Sequence, residues 1–125
     1  MIIEHPLSRA KGKAGLFWVA NRAECPVRIV DKDLTVLVFV NGYIFANAIG
    51  MTEKHGNPMP YFMQAGVKTI IRASQFKTTE TIINLCETEG APIVIQKYGY
   101  EFYVAMSPIV YEYYAHLFED SSAQE

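Results

Sequence analysis

Imidazole, thiol and carboxylate groups carry most enzyme chemistry, and in this chain of 125 residues they are sparse and scattered. Glu112, His116 and Asp120 stand four and four apart, a spacing that puts them on one helical face. Zinc sites usually draw ligands from several elements, so this trio reads as a solvated face. His5 and His55 have no comparable neighbours, and Glu53, Lys54, Glu87 and Glu89 read as loop and helix-end charges. Cys25 and Cys86, 61 residues apart, fit neither a zinc spacing nor a redox pair. Cys86 lies among Ile82, Ile83 and Leu85, the setting of a buried structural thiol. The chain contains no Gly-x-Ser-x-Gly, phosphate loop or dinucleotide fingerprint. No catalytic residue, metal ligand or cofactor is assigned, and the expectation is a binding protein.

Two other sets of residues suit binding. Lys68, Arg72, Gln75, Lys77, Thr78 and Thr79 cluster within a short stretch. Lysine and arginine suit phosphates, Arg72 and Gln75 suit base edges, and threonine suits either. Glu80, Glu87 and Glu89 work against a phosphate surface there, as do the net charge of −2 and a pI near 5.9. The charge is unevenly spread. Residues 1–32 hold six Lys or Arg (Lys13 among them) against three acids, whereas residues 99–125 hold five acids and no Lys or Arg, so the basic N-terminal third is expected to join residues 68–79 in contacting nucleic acid. The second set is aromatic: Tyr98, Tyr100, Tyr111, Tyr113, Tyr114 and Phe118 have the composition of a protein interface.

The elements that must position these residues follow from patterning. Half of the chain is apolar, enough for one continuous core. Residues 7–14 read as a loop or a mobile basic arm, and 15–20, aromatic and β-branched, as a strand. Residues 26–31 and 34–40 read as two more strands joined at Asp31-Lys32-Asp33, the second buried on both faces. Asn41-Gly42 signals a turn with positive φ before a strand that passes into a short helix. Residues 61–72 read as a helix broken at Gly66; the next helix starts at Thr78 or Thr79 and ends before Gly90. Residues 92–96 and 100–105 form a hairpin around Lys97-Tyr98-Gly99, and Ser107-Pro108 opens a last helix to about Phe118. That helix is apolar on most of its circumference, which predicts a homodimer through it. No internal repeat is evident.

The run Asn41-Gly42-Tyr43-Ile44-x-Ala46-Asn47 resembles the opening of the KilA-N domain of phages and large DNA viruses. The helix from Thr79 to Leu85, Gly90-Ala-Pro92, the hairpin around Gly99 and Val104-x-x-Ser107-Pro108 follow in the family's order, over about residues 34–118. Phe45 stands where the family has Asn, and the family's Trp-Leu-Arg segment has no clear counterpart. The resemblance implies a small α+β DNA-binding module of phage regulators.

The expected molecule is therefore α+β: a small antiparallel sheet, three to four helices and a wing-like β-hairpin, as in a winged helix-turn-helix. It is one domain over residues 1–118, with a disordered acidic tail at 119–125. Its expected partner is DNA or, alternatively, a host protein met through the aromatic surface. No run is long enough to cross a bilayer. Met1 to Pro6 lack a basic-then-apolar leader, so the expected compartment is the cytoplasm.

Overall fold

The computed structural model describes residues 3–53, 56–99 and 101–123, with side chains of the last helix through Phe118. The elements are β1 (Ile3–Pro6), α1 (Lys13–Arg22), β2 (Val27–Asp31), β3 (Leu34–Asn41), α2 (Gly42–Ala48), α3 (Met59–Gln64), β4 (Thr69–Arg72), α4 (Thr79–Glu89), β5 (Ile93–Gln96), β6 (Phe102–Met106) and α5 (Pro108–Ala123). Short 3-10 turns at Leu7–Arg9 and Ala73–Gln75 follow β1 and β4. The strands form one six-stranded sheet in the order β1-β2-β3-β6-β5-β4.

The α+β class is as expected, but the sheet is larger than expected and mixed: β1 pairs β2 and β4 pairs β5 in parallel, and the other pairs are antiparallel. The β5–β6 hairpin lies inside this sheet, so it is not a free wing.

Helices cover both faces. One apolar layer joins Leu16, Phe17, Val19 and Ala20 of α1 to Ile82 and Cys86 of α4 and to Leu37, Phe39, Ile93, Ile95 and Tyr103 below them. The other joins Phe45 of α2, Phe62 of α3 and Val110 and Phe118 of α5 to Val38, Val40, Val94, Phe102, Val104 and Met106. Strand alternation explains the division, since successive side chains of β6 point to opposite faces. β3 is buried on both faces, as its apolar run requires. Lys32 and Asp33, both at positive φ, close the β2–β3 hairpin.

Several local expectations fail for stated reasons. Residues 15–20 belong to α1, because Leu16, Phe17, Val19 and Ala20 bury one helical face. The segment expected to be a loop or a mobile arm is tied down at its end: Gly12 forms a β-bridge with Thr78, and Lys13 N–H donates to the Lys77 carbonyl at 3.2 Å. The expected helix over 61–72 is α3 followed by β4, with Gly66 at φ +100° between them. Asn41-Gly42 opens α2 directly, with Asn41 Oδ1 accepting from Tyr43 N–H at 2.9 Å. α5 runs on through Ala123, past Phe118, where its end was expected; Gln124 and Glu125 lie outside the described residues.

Although the sequence shows no evident repeat, the order of elements repeats. Each half runs strand, 3-10 turn, helix, strand, strand, helix, with α3 between the halves. An offset of 66 residues carries Ile3 to Thr69, Leu7 to Ala73, Lys13 to Thr79 and Val27 to Ile93, the first residues of four successive elements. The halves meet symmetrically. Lys13 N–H donates to Lys77 and Thr79 N–H to Lys11, at 3.2 and 2.7 Å, and β3 pairs β6 antiparallel at the centre of the sheet. Across residues 3–31 only Ser8, Lys11, Pro26 and Ile29 are identical to their counterparts at that offset.

Candidate functional site

Because β3, β4 and β5 run the same way, their carboxyl ends, Asn41, Arg72 and Gln96, open on one edge of the sheet. In sheets with parallel strands this edge is the common place for a ligand. A groove of about 580 Å³ lies there, lined by Lys13, Ala14, Phe17, Trp18 and Asn21 of α1, by Arg72, Ala73 and Ser74, and by Lys97 and Tyr98 of the β5–β6 turn. It combines three cations with aromatic rings and no carboxylate. Trp18 is 56% exposed and Tyr98 74% exposed, which leaves both rings available for stacking.

The cations are held in place. Lys13 Nζ donates to the Ala73 carbonyl at 3.0 Å. Lys97 Nζ sits 5.2 Å from the centre of the Phe17 ring and 5.8 Å from that of Tyr98, and forms a long ion pair of 3.9 Å with Glu101. Arg22, one turn beyond Trp18, lies over the indole at 4.7 Å. Such cation–ring contacts orient charge and ring together.

A second hollow of about 300 Å³ adjoins the first and shares Asn21 with it; Asn41, Tyr43, Glu101, Phe102 and Tyr103 complete its lining. Asn21 Oδ1 accepts from the Tyr103 hydroxyl at 3.0 Å and from Asn41 Nδ2 at 3.5 Å. Burial pushes the Tyr103 phenol above its ordinary value, the bond to Asn21 opposes this, and Glu101 adds to it.

The duplication provides an internal comparison. At the 66-residue offset, Lys13 corresponds to Thr79, Trp18 to Asn84, Asn21 to Glu87, Arg72 to Pro6 and Lys97 to Asp31. The matching positions build the same elements without these residue types, so the fold itself does not demand them.

Of the six residues expected to meet nucleic acid, Arg72 alone lines the groove. Lys68 precedes β4, at the opposite end of that strand. Gln75 Oε1 accepts from Arg72 N–H at 2.6 Å. Lys77 is exposed but offers its carbonyl to Lys13, and the Thr78 and Thr81 hydroxyls lie 3.2 Å apart. Thr79 is fully buried and its hydroxyl donates to the Ala10 carbonyl, so it is a structural residue. α4 is a packed crossover helix whose first turn meets the Lys11–Lys13 segment.

The aromatic set also separates. Tyr98 belongs to the groove, on the α1 side of the sheet, while α5 packs on the other face. Tyr114 packs against Phe45 and donates to the Ala65 carbonyl at 2.8 Å, and burial raises its phenol pKa. Phe118 is buried; Ile109 and Tyr113 are the exposed large side chains of α5. Tyr100 lies outside the described residues. Lys13 falls within the basic N-terminal third expected to meet nucleic acid, whereas Trp18 and Asn21 went unread because α1 was expected to be a strand, and Lys97 because it was read only as part of the hairpin turn. The interleaving of lysine with aromatic residues from Lys11 to Trp18 was the signal available.

Among the described residues no group of three His, Cys, Asp or Glu side chains could hold a metal ion, and no helix is long and apolar enough to cross a membrane. Comparison with known protein families, curated proteins and solved structures finds no match for this chain.

Proposed function

We propose that this chain is a non-enzymatic nucleic-acid-binding module that takes single-stranded segments into the groove between α1 and the β5–β6 turn. The observation that carries this reading is the meeting of Lys13, Arg72 and Lys97 with the exposed rings of Trp18 and Tyr98. Cations that follow a phosphate backbone, with rings on which unpaired bases stack, are the usual composition of single-strand sites. A duplex keeps its bases stacked inside, where Trp18 and Tyr98 would not reach them. The KilA-N resemblance points to the same ligand class, as a regulatory DNA-binding module of phage type. Two residues of that motif, Asn41 and Tyr43, line the adjoining hollow.

Trp18 is the single tryptophan of the chain, so its fluorescence reports on the groove directly. Single-stranded oligothymidine should quench it saturably, with an affinity that falls as salt rises. A spectrum unmoved by oligothymidine at low salt would remove this reading.

A second reading, a protein-binding inhibitor or adaptor that also self-associates, is favoured by the outer face of α5. There Ile109 is 71% and Tyr113 75% exposed. Light scattering should then give a dimer that Tyr113→Glu dissociates, and a monomer for the unmutated chain would dismiss it.

A further inference from the structure

We infer that the hollow formed by Asn21, Asn41, Tyr43 and Glu101 selects a guanine base edge next to the groove, an inference that rests on the single-strand reading above. The two hollows share Asn21 in their linings but differ in chemistry. The groove offers cations and rings, which suit any phosphate and any base face. The second hollow offers two amides, two phenols and one carboxylate, groups that read hydrogen-bonding edges.

Its donors and acceptors are set by the surrounding contacts. Asn21 Oδ1 is occupied by the Tyr103 hydroxyl and Asn41 Nδ2, so the group that Asn21 presents to a ligand is its NH2. Asn41 Oδ1 is likewise occupied as the cap of α2. Glu101 is only loosely tied, at 3.9 Å from Lys97, and its side chain is 58% exposed. A carboxylate accepts hydrogens through two oxygens side by side. Among the bases, guanine presents adjacent N1–H and N2–H donors with the O6 acceptor beside them, matching Glu101 with the Asn21 amide. Adenine and cytosine offer the carboxylate one amino group, and thymine one imide N–H. Lys97 next to Glu101 offsets the repulsion that a carboxylate would exert on the phosphates entering the groove.

The test compares, by Trp18 quenching, oligothymidine with oligonucleotides in which guanine, adenine, cytosine or hypoxanthine alternates with thymine. Guanine should bind roughly tenfold more tightly than the others, within the range of one good bidentate base contact. Hypoxanthine, which lacks the N2 amine, should lose that advantage. Glu101→Gln should bring the guanine oligonucleotide down to the affinity of oligothymidine. Equal affinities for all the oligonucleotides would overturn base selection while leaving the groove reading intact. Quenching by none of them would overturn both.

Discussion

Arg72 occupies the last position of β4, opposite Gln96, and its guanidinium joins Lys13 and Lys97 in lining the groove. Each phosphate neutralised on a single strand contributes about 0.7 to the slope of log affinity against log salt. Arg72→Ala should therefore weaken oligothymidine binding and flatten that slope by about 0.7. Lys77→Ala should do neither, because what Lys77 supplies to the structure is its backbone carbonyl. A slope unchanged in Arg72→Ala would detach that residue from the site. Thiol chemistry also separates by position. Burial, with Glu87 and Glu89 nearby, pushes the Cys86 thiol from 9.0 to about 12. A thiol whose folded pKa is raised stabilises the fold below its unfolded value, and that contribution drains away as pH climbs from about 9 toward 12. At about pH 8 iodoacetamide should label Cys25 in the native protein and reach Cys86 only after urea. Mass spectrometry finding Cys86 labelled without denaturant would contradict its burial.

Where the ends of elements carry specific chemistry, the sequence was legible. Thr78 and Gly90 bound α4, with Gly90 at φ +63°, and Ser107 caps α5 through a bond from Val110 N–H at 3.2 Å. The Asp31-Lys32-Asp33 turn and both strands of the β5–β6 hairpin were likewise readable. α1 was not, because Phe17, Trp18 and Val19 favour strands by propensity while the helix is set by burial of one face, with Phe17 packed on Phe39 and Tyr103. The groove went unread with it. The duplication was hidden because its halves share a burial pattern and few identities: Leu16 and Phe17 match Ile82 and Ile83, different residues doing the same packing. Gly42 shows how a turn signal can mislead. It looks like a residue chosen for positive φ, yet it opens α2, and a Cβ there would lie 2.6 Å from the Phe102 carbonyl oxygen. The glycine is needed for close approach of α2 to β6. Gly42→Ala should cost about 1–3 kcal/mol by forcing these elements apart. An unchanged urea midpoint would show that α2 can shift without loss.

At the scale of the whole molecule, charge and shape together decide which nucleic acid fits. With a net charge of −2 the protein has no general attraction for a polyanion, so binding must come from a local cluster. The groove lining supplies three cations, Lys13, Arg72 and Lys97. Three single-strand phosphate contacts give a salt slope of about −2, shallow beside the slope of about −10 known for a duplex-reading repressor. A module that reads duplex through a helix needs that helix free at its first turn. α4 does not meet this condition: Thr79 is buried, and the Lys11–Lys13 segment hydrogen-bonds across its start. The hairpin that would flank the helix is fixed inside the sheet, between β3 and β4. The positions that match the groove cations at the 66-residue offset are Thr79, Pro6 and Asp31, which make no second cationic cluster. The single-strand reading then predicts one segment bound per protomer at this groove, with a duplex of the same sequence competing poorly. Competition measured by Trp18 fluorescence across a salt series checks both points. A duplex that displaces the single strand at equal concentration, or a slope much steeper than about −2, would place the contact surface outside the groove.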